Sequence, residues 1–80
     1  IAAGVLEALM EHDINVPRDV SVIGFDDHPI ASRTTPRLTT VHQPLIEEGG
    51  LAAATALAMI DGAAANTLVL HMRLVERDSV

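Results

Sequence analysis

Cysteine, lysine, tryptophan and tyrosine are all missing from this chain of 80 residues, and phenylalanine occurs once. Without cysteine no disulfide can form, and the redox compartment is left open. Without lysine the positive charge rests on five arginines, at positions 18, 33, 37, 73 and 77, scattered along the chain. Set against eleven carboxylates, they leave a net charge of -6. Phosphate binding needs clustered basic side chains, so this segment is not expected to touch nucleic acid. The richest apolar run, Leu51 to Ile60, has ten residues, well short of a membrane span, and no membrane contact is expected. There is no Gly-x-Ser-x-Gly and no glycine-rich phosphate loop, since Gly49-Gly50 falls inside a helical pattern. Ser21, Ser32 and Ser79 have no nucleophile context, and His12, His28, His42 and His71 lack metal-ligand spacing. No enzyme, no cofactor and no metal is expected.

What remains is an apolar chain, 49% hydrophobic with mean hydropathy +0.32, carrying one conspicuous segment, Asp19-Val20-Ser21-Val22-Ile23-Gly24-Phe25-Asp26-Asp27. A short β-branched run ending in glycine, an aromatic and two carboxylates reads as a buried parallel strand over 20–25. Ligands of open α/β sheets sit beyond the carboxyl ends of such strands, which makes Asp26 a candidate ligand contact. The bland alternative is a strand-end turn in which Asp27 caps the next short helix. Adjacent carboxylates in an extended segment point apart, so the two are not an acid–base pair. Phe25 is expected to pack in the core.

Periodicity places a helix over 1–12, with Ile1, Val5 and Leu9 on one stripe. Val16-Pro17 predicts extended backbone before the strand. A single helical turn is expected around Pro29 to Arg33, and a short strand over 38–42. A long helix, Leu45 to Ile60, should start with Glu47 and Glu48 favouring its dipole and stop at Asp61-Gly62. Gly49 and Gly50 weaken that helix unless a neighbour approaches closely. Residues 63–66 read as linker, and 67–76 as one or two strands. The order is that of an α/β domain, but two or three strands cannot bury both faces of a parallel sheet. The chain opens inside a helical pattern with no capping residue and is expected to be the carboxyl-terminal part of something longer.

Pro17-Arg18-Asp19 through Asp27, then Pro36-Arg37-Leu38-Thr39-Thr40-Val41-His42-Gln43-Pro44, Gly49, and Leu74-Val75-Glu76-Arg77-Asp78-Ser79 together resemble lactose-repressor (LacI) family transcription regulators. The stretch from Leu38 to Pro44 is similar to the purine repressor branch. The resemblance covers essentially the whole chain. It implies a fragment of a two-lobed, periplasmic-binding-protein-like fold. Residues 1–41 would lie in the carboxyl-terminal lobe, 42–44 would cross between lobes, 45–66 would supply an amino-terminal-lobe helix and linker, and 67–80 would return. It further implies a cytoplasmic repressor or other regulator that binds a sugar or nucleobase-like effector between its lobes. Asp26 would touch the effector. The regulator would be a homodimer through Ala3, Glu7, Ile30, Ala31, Ser32, Arg33 and Thr34. DNA would be reached only through an amino-terminal domain absent here. Many members carry glycine where this chain has Asp13, a residue that tolerates left-handed backbone. The alternative is a bilobal solute-binding protein of a sugar transport system.

Overall fold

A computed structural model describes residues 1–65 and 67–80; Asn66, the last residue of the expected linker, lies outside the described residues. Helix α1 spans Ala2–Glu11, strand β1 Ile23–Phe25, a 3-10 turn Pro29–Ser32, strand β2 Thr39–His42, helix α2 Leu45–Ile60 and strand β3 Arg73–Val75. The sheet order is β1-β2-β3. β1 runs parallel to β2, with Gly24 opposite Thr40, and β3 runs antiparallel to β2, with Val41 opposite Leu74. The class is α/β, as the alternation of elements predicts, and the sheet is mixed.

Both helices end in the same way, for a local reason. After α1 the amide of Asp13 donates to the Met10 carbonyl and that of Ile14 to the Leu9 carbonyl. After α2 the amide of Gly62 donates to Met59 and that of Ala63 to Ala58. This pair of bonds satisfies the last carbonyls of a helix when the residue past the cap is left-handed. Asp13 takes φ 58 and Gly62 φ 93, so an aspartate does at the first helix what glycine does at the second.

Leu6 of α1, Val22, Ala31 of the 3-10 turn and Leu38 form the core, with Ala2, Leu9 and Val16 packed around it. Gly24 makes this packing possible. A Cβ there would come within 2.7 Å of the Leu38 side chain and 3.4 Å of Ala2. The carboxyl-terminal segment closes the other side. The buried Ser79 hydroxyl donates to the Val22 carbonyl at 2.6 Å and accepts the Thr39 amide at 2.8 Å. The Ser79 carbonyl in turn takes the Val22 amide at 2.9 Å. One side chain thus ties β1's approach to β2, where a ladder would otherwise do so.

Several expectations need correction. Strand β1 begins at Ile23 rather than Val20, because Val22 spends its amide on Ser79. The 67–76 stretch is strand only over Arg73–Val75. Residues 16–19 form a turn rather than extended chain, with the Asn15 amide bonded to the Asp19 carboxylate at 2.9 Å. Phe25 is not in the core but 57% exposed. Among the described residues, nothing beyond the helix's own nearby backbone lies within 4 Å of a Cβ built on Gly49 or Gly50, so no close approach compensates them there.

The shape is long, 58 × 17 × 15 Å, with a radius of gyration of 17.8 Å. A compact domain of this length would have a radius near 12 Å. The accessible surface is 5923 Å², against about 4,700 Å² for a compact protein of this mass. Helix α2 accounts for much of the excess: none of its residues is buried. Ile23, Phe25 and Leu74 also leave one sheet face apolar and open. Surface of this kind is normally covered by other chain. These 80 residues produced alone are therefore expected to self-associate, or to lose structure without a sharp cooperative transition. Sedimentation equilibrium and thermal melts check this; a compact monomer that melts sharply would contradict it.

Candidate functional site

β1 delivers its two aspartates at the carboxyl end of the parallel pair, and both leave the extended region there. Asp26 has φ 83 and Asp27 φ 47. Aspartate accepts such backbone better than most residues. The turn sends the two carboxylates to different partners; the expectation that they point apart rested on extended backbone, which the chain does not have here.

Asp26 is exposed and stands at the rim of an open trough lined also by Phe25, Val41, His28, Ile30 and Ala3. The Gln43 side-chain amide donates to its carboxylate. The ring of Phe25 is therefore available beside Asp26 instead of being spent on packing.

Asp27 is drawn inward, its side chain 15% exposed. One carboxylate oxygen accepts from Arg77 Nη2 at 2.8 Å, and the other meets His42 Nδ1 at 3.0 Å. Its own amide donates to Thr40 Oγ1 at 3.2 Å. Arg77 is fixed as well: Nη1 donates to the Leu38 carbonyl at 2.8 Å and its backbone amide to Thr39 Oγ1 at 2.9 Å. The Arg77 hydrogen bond is the main reason the Asp27 carboxyl is held below its ordinary range; partial burial opposes it and His42 assists. The expected capping role for Asp27 is not what it does. His28 is the cap residue of the 3-10 turn, and no side chain bonds there. Residue spacing could not find the Arg77 partnership, which joins positions fifty apart. Arg77 stands between Glu76 and Asp78, so its local sequence gives no pointer to Asp27.

The residues expected at a dimer face are placed as follows. Ala3 is half-buried on α1, and Glu7 is exposed one turn further on. Ile30, Ser32 and Arg33 are exposed, Thr34 is half-buried and Ala31 is buried in the core. Ala3 and Ile30 line the same hollow beside Phe25. Among the described residues no group of three His, Asp or Glu side chains could hold a metal. Nor, among the described residues, is any helix long and apolar enough to cross a membrane.

Three comparisons bear on what this arrangement belongs to. The family model for a periplasmic binding protein-like domain matches residues 1–80. The ribose operon repressor of Escherichia coli (strain K12) is 52% identical over 52 residues, 65% of this chain and 16% of the repressor. A dimeric Lac repressor structure superposes with a TM-score of 0.88 at 32% identity, over 98% of this chain and 29% of that one. A transcriptional regulator CelR–cellobiose complex superposes with a TM-score of 0.85 at 30% identity, over 99% of this chain and 25% of the regulator. The chain thus spans a sixth to under a third of the proteins it resembles.

The Asp27 clasp has a definite pH signature. In the unfolded chain its carboxyl titrates near 3.8, and in the folded chain below that. The unfolded state then binds more protons through this range. The contribution of Asp27 is complete above the ordinary carboxylate range and is lost as pH falls through it toward the lowered folded value. In the protein carrying this chain, Asp27→Asn is expected to cost about 1.5–3 kcal/mol near neutrality, the range for hydrogen bonds to charged groups. The gap to wild type should narrow as pH falls through the ordinary carboxylate range and below it. Urea melts across that range check it; a gap independent of pH would contradict the assignment.

Proposed function

We propose a function from one premise: the chain belongs to the periplasmic binding protein-like domain family. It serves as part of the effector-sensing domain of a LacI-type transcriptional regulator, at the carboxyl-terminal end of that domain. A small polar metabolite binds between two lobes and alters how the regulator holds DNA, which a separate segment contacts. The reported relatives are a repressor and regulators, which favours this reading over a transport protein of the same architecture.

Residues 1–41 belong to one lobe, 42–44 cross to the other, 45–66 lie there and 67–80 return. The unburied α2, joined to the sheet through β2 on one side and β3 on the other, supports that division. The effector is a sugar or a nucleobase-like compound. The cellobiose complex of a similar regulator supports the first, and the likeness of Leu38 to Pro44 to the purine repressor branch supports the second. The regulator is a cytoplasmic homodimer through Ala3, Glu7 and residues 30–34, with Ala31 beneath as the packed base of that surface.

One observation carries the ligand assignment. Asp26 presents an exposed carboxylate at the carboxyl end of a parallel strand, next to an exposed ring and the crossover residue Gln43. A carboxylate there accepts hydroxyl or N–H donors, and the ring covers an apolar face. The effector changes DNA binding only through unequal affinity for the two lobe arrangements.

The test is Asp26→Asn in the protein carrying this chain. Asparagine tolerates the left-handed backbone and removes the charge, whereas alanine would strain the turn as well. Calorimetry against ribose, cellobiose and the common nucleobases should identify a binder, and the substitution should weaken it by about 1.5 kcal/mol, roughly tenfold. The melting temperature should stay close to wild type. Unchanged affinity would remove Asp26 from the site.

A further inference from the structure

We propose that Asp27 is the positioning residue of this site: gripped by Arg77 and His42, it fixes the two-aspartate turn and so aims the Asp26 carboxylate and the Gln43 amide at one another. The proposal rests on the reading above only for what the aimed carboxylate serves. The clasp itself is independent of any effector.

Two consecutive residues with φ of 83 and 47 do not stay there by intrinsic preference. Such backbone persists only where its surroundings over-determine it. Here three side chains do the holding. The Asp27 amide is tied to Thr40, one carboxylate oxygen to Arg77 and the other to His42. Arg77 cannot drift, because its second guanidinium nitrogen is bonded to the Leu38 carbonyl and its amide to Thr39. All the anchors of Asp27 therefore lead back to β2 or to the segment behind β3. Its neighbour Asp26 has one partner, Gln43, and that residue follows His42 directly. Consecutive aspartates thus hold consecutive residues of the crossover, one pair half-buried and the other exposed. Asp27 is the more firmly held of the two aspartates, since its charge-assisted bond to Arg77, at 15–17% exposure, is screened less than one in water. Its geometry sets the outer pair.

Gln43 is the chain's only glutamine, which gives the test its probe. The protein carrying this chain is labelled with side-chain ¹⁵N-glutamine, and the Gln43 amide signal is assigned by its loss in Gln43→Glu. Arg77→Met removes the guanidinium, which touches neither Asp26 nor Gln43. It is expected to move the Gln43 signal toward the shift and solvent-exchange rate of a free glutamine, in protein still folded below its melting temperature. Arg77→Lys, which keeps the charge, should move it less. Thr40→Val removes only the acceptor for the Asp27 amide at nearly constant volume, and should also displace the signal even if Arg77→Met fails to fold. A merely structural arginine would lower the melting temperature and leave the signal in place. An unmoved Gln43 signal in a folded variant lacking the guanidinium, or in Thr40→Val, would overturn the proposal.

Discussion

The pairing of Asp27 with Arg77 is the constraint on which the functional end of this molecule depends. A three-residue β1 and a three-residue β3 offer few ladder bonds, and the last residues of the chain supply what is missing. Arg77 and Ser79, two residues apart, clip the end of the chain across β2. Ser79 reaches back to Val22 before β1, and Arg77 reaches forward to Asp27 after it. The strand that presents Asp26 is therefore held at both ends by one short segment. The exposed pair between Arg37 and Asp78 lies between them, and exposed pairs of this kind contribute little.

This arrangement explains how two carboxylates in sequence come to have opposite fates. Asp27 gives up solvent for Arg77 and His42 and becomes part of the frame. Asp26 keeps solvent and one amide, and remains free to accept donors from a ligand. The exposed Phe25 ring follows from the same strand. Gly24 lets Leu38 and Ala2 close over one face of β1, and Phe25, at the alternate position, is left on the open one. The chain belongs to a periplasmic binding protein-like domain family and spans under a third of the regulators it superposes on; by itself it leaves α2 and one sheet face uncovered.

Local chemistry was legible in the residues, and long-range chemistry was not. The bounds of α2 follow from Glu47 and Glu48 at its start and Asp61-Gly62 at its end, signals that act within one turn. The left-handed Asp13 was readable from the resemblance instead, since many family members carry glycine at that position. Strand β1 was overestimated because Val20 to Val22 have strand-forming side chains, while the loss of the Val22 amide to Ser79, 57 residues away, decides where the ladder starts. Asp27 was read as a turn or cap residue because the only partners within reach of local reasoning were those of the next turn; the turn is present and the cap bond is not. Its actual partners lie 15 and 50 residues away. Asp26, by contrast, could be proposed as a site residue from topology, since the carboxyl end of a parallel strand is where an α/β sheet presents its ligand contacts; the structure places it there, exposed.

The central claim is that Asp26, aimed by the clasp behind it, meets a small polar effector between lobes. The most direct measurement is a crystal structure of the protein carrying this chain with its effector bound. The account predicts a ligand hydroxyl or N–H within hydrogen-bond distance, about 2.5–3.2 Å, of an Asp26 carboxylate oxygen, with Asp27 still joined to Arg77 and His42. A ligand seated away from Asp26, or one that takes Asp27 from Arg77, would contradict it.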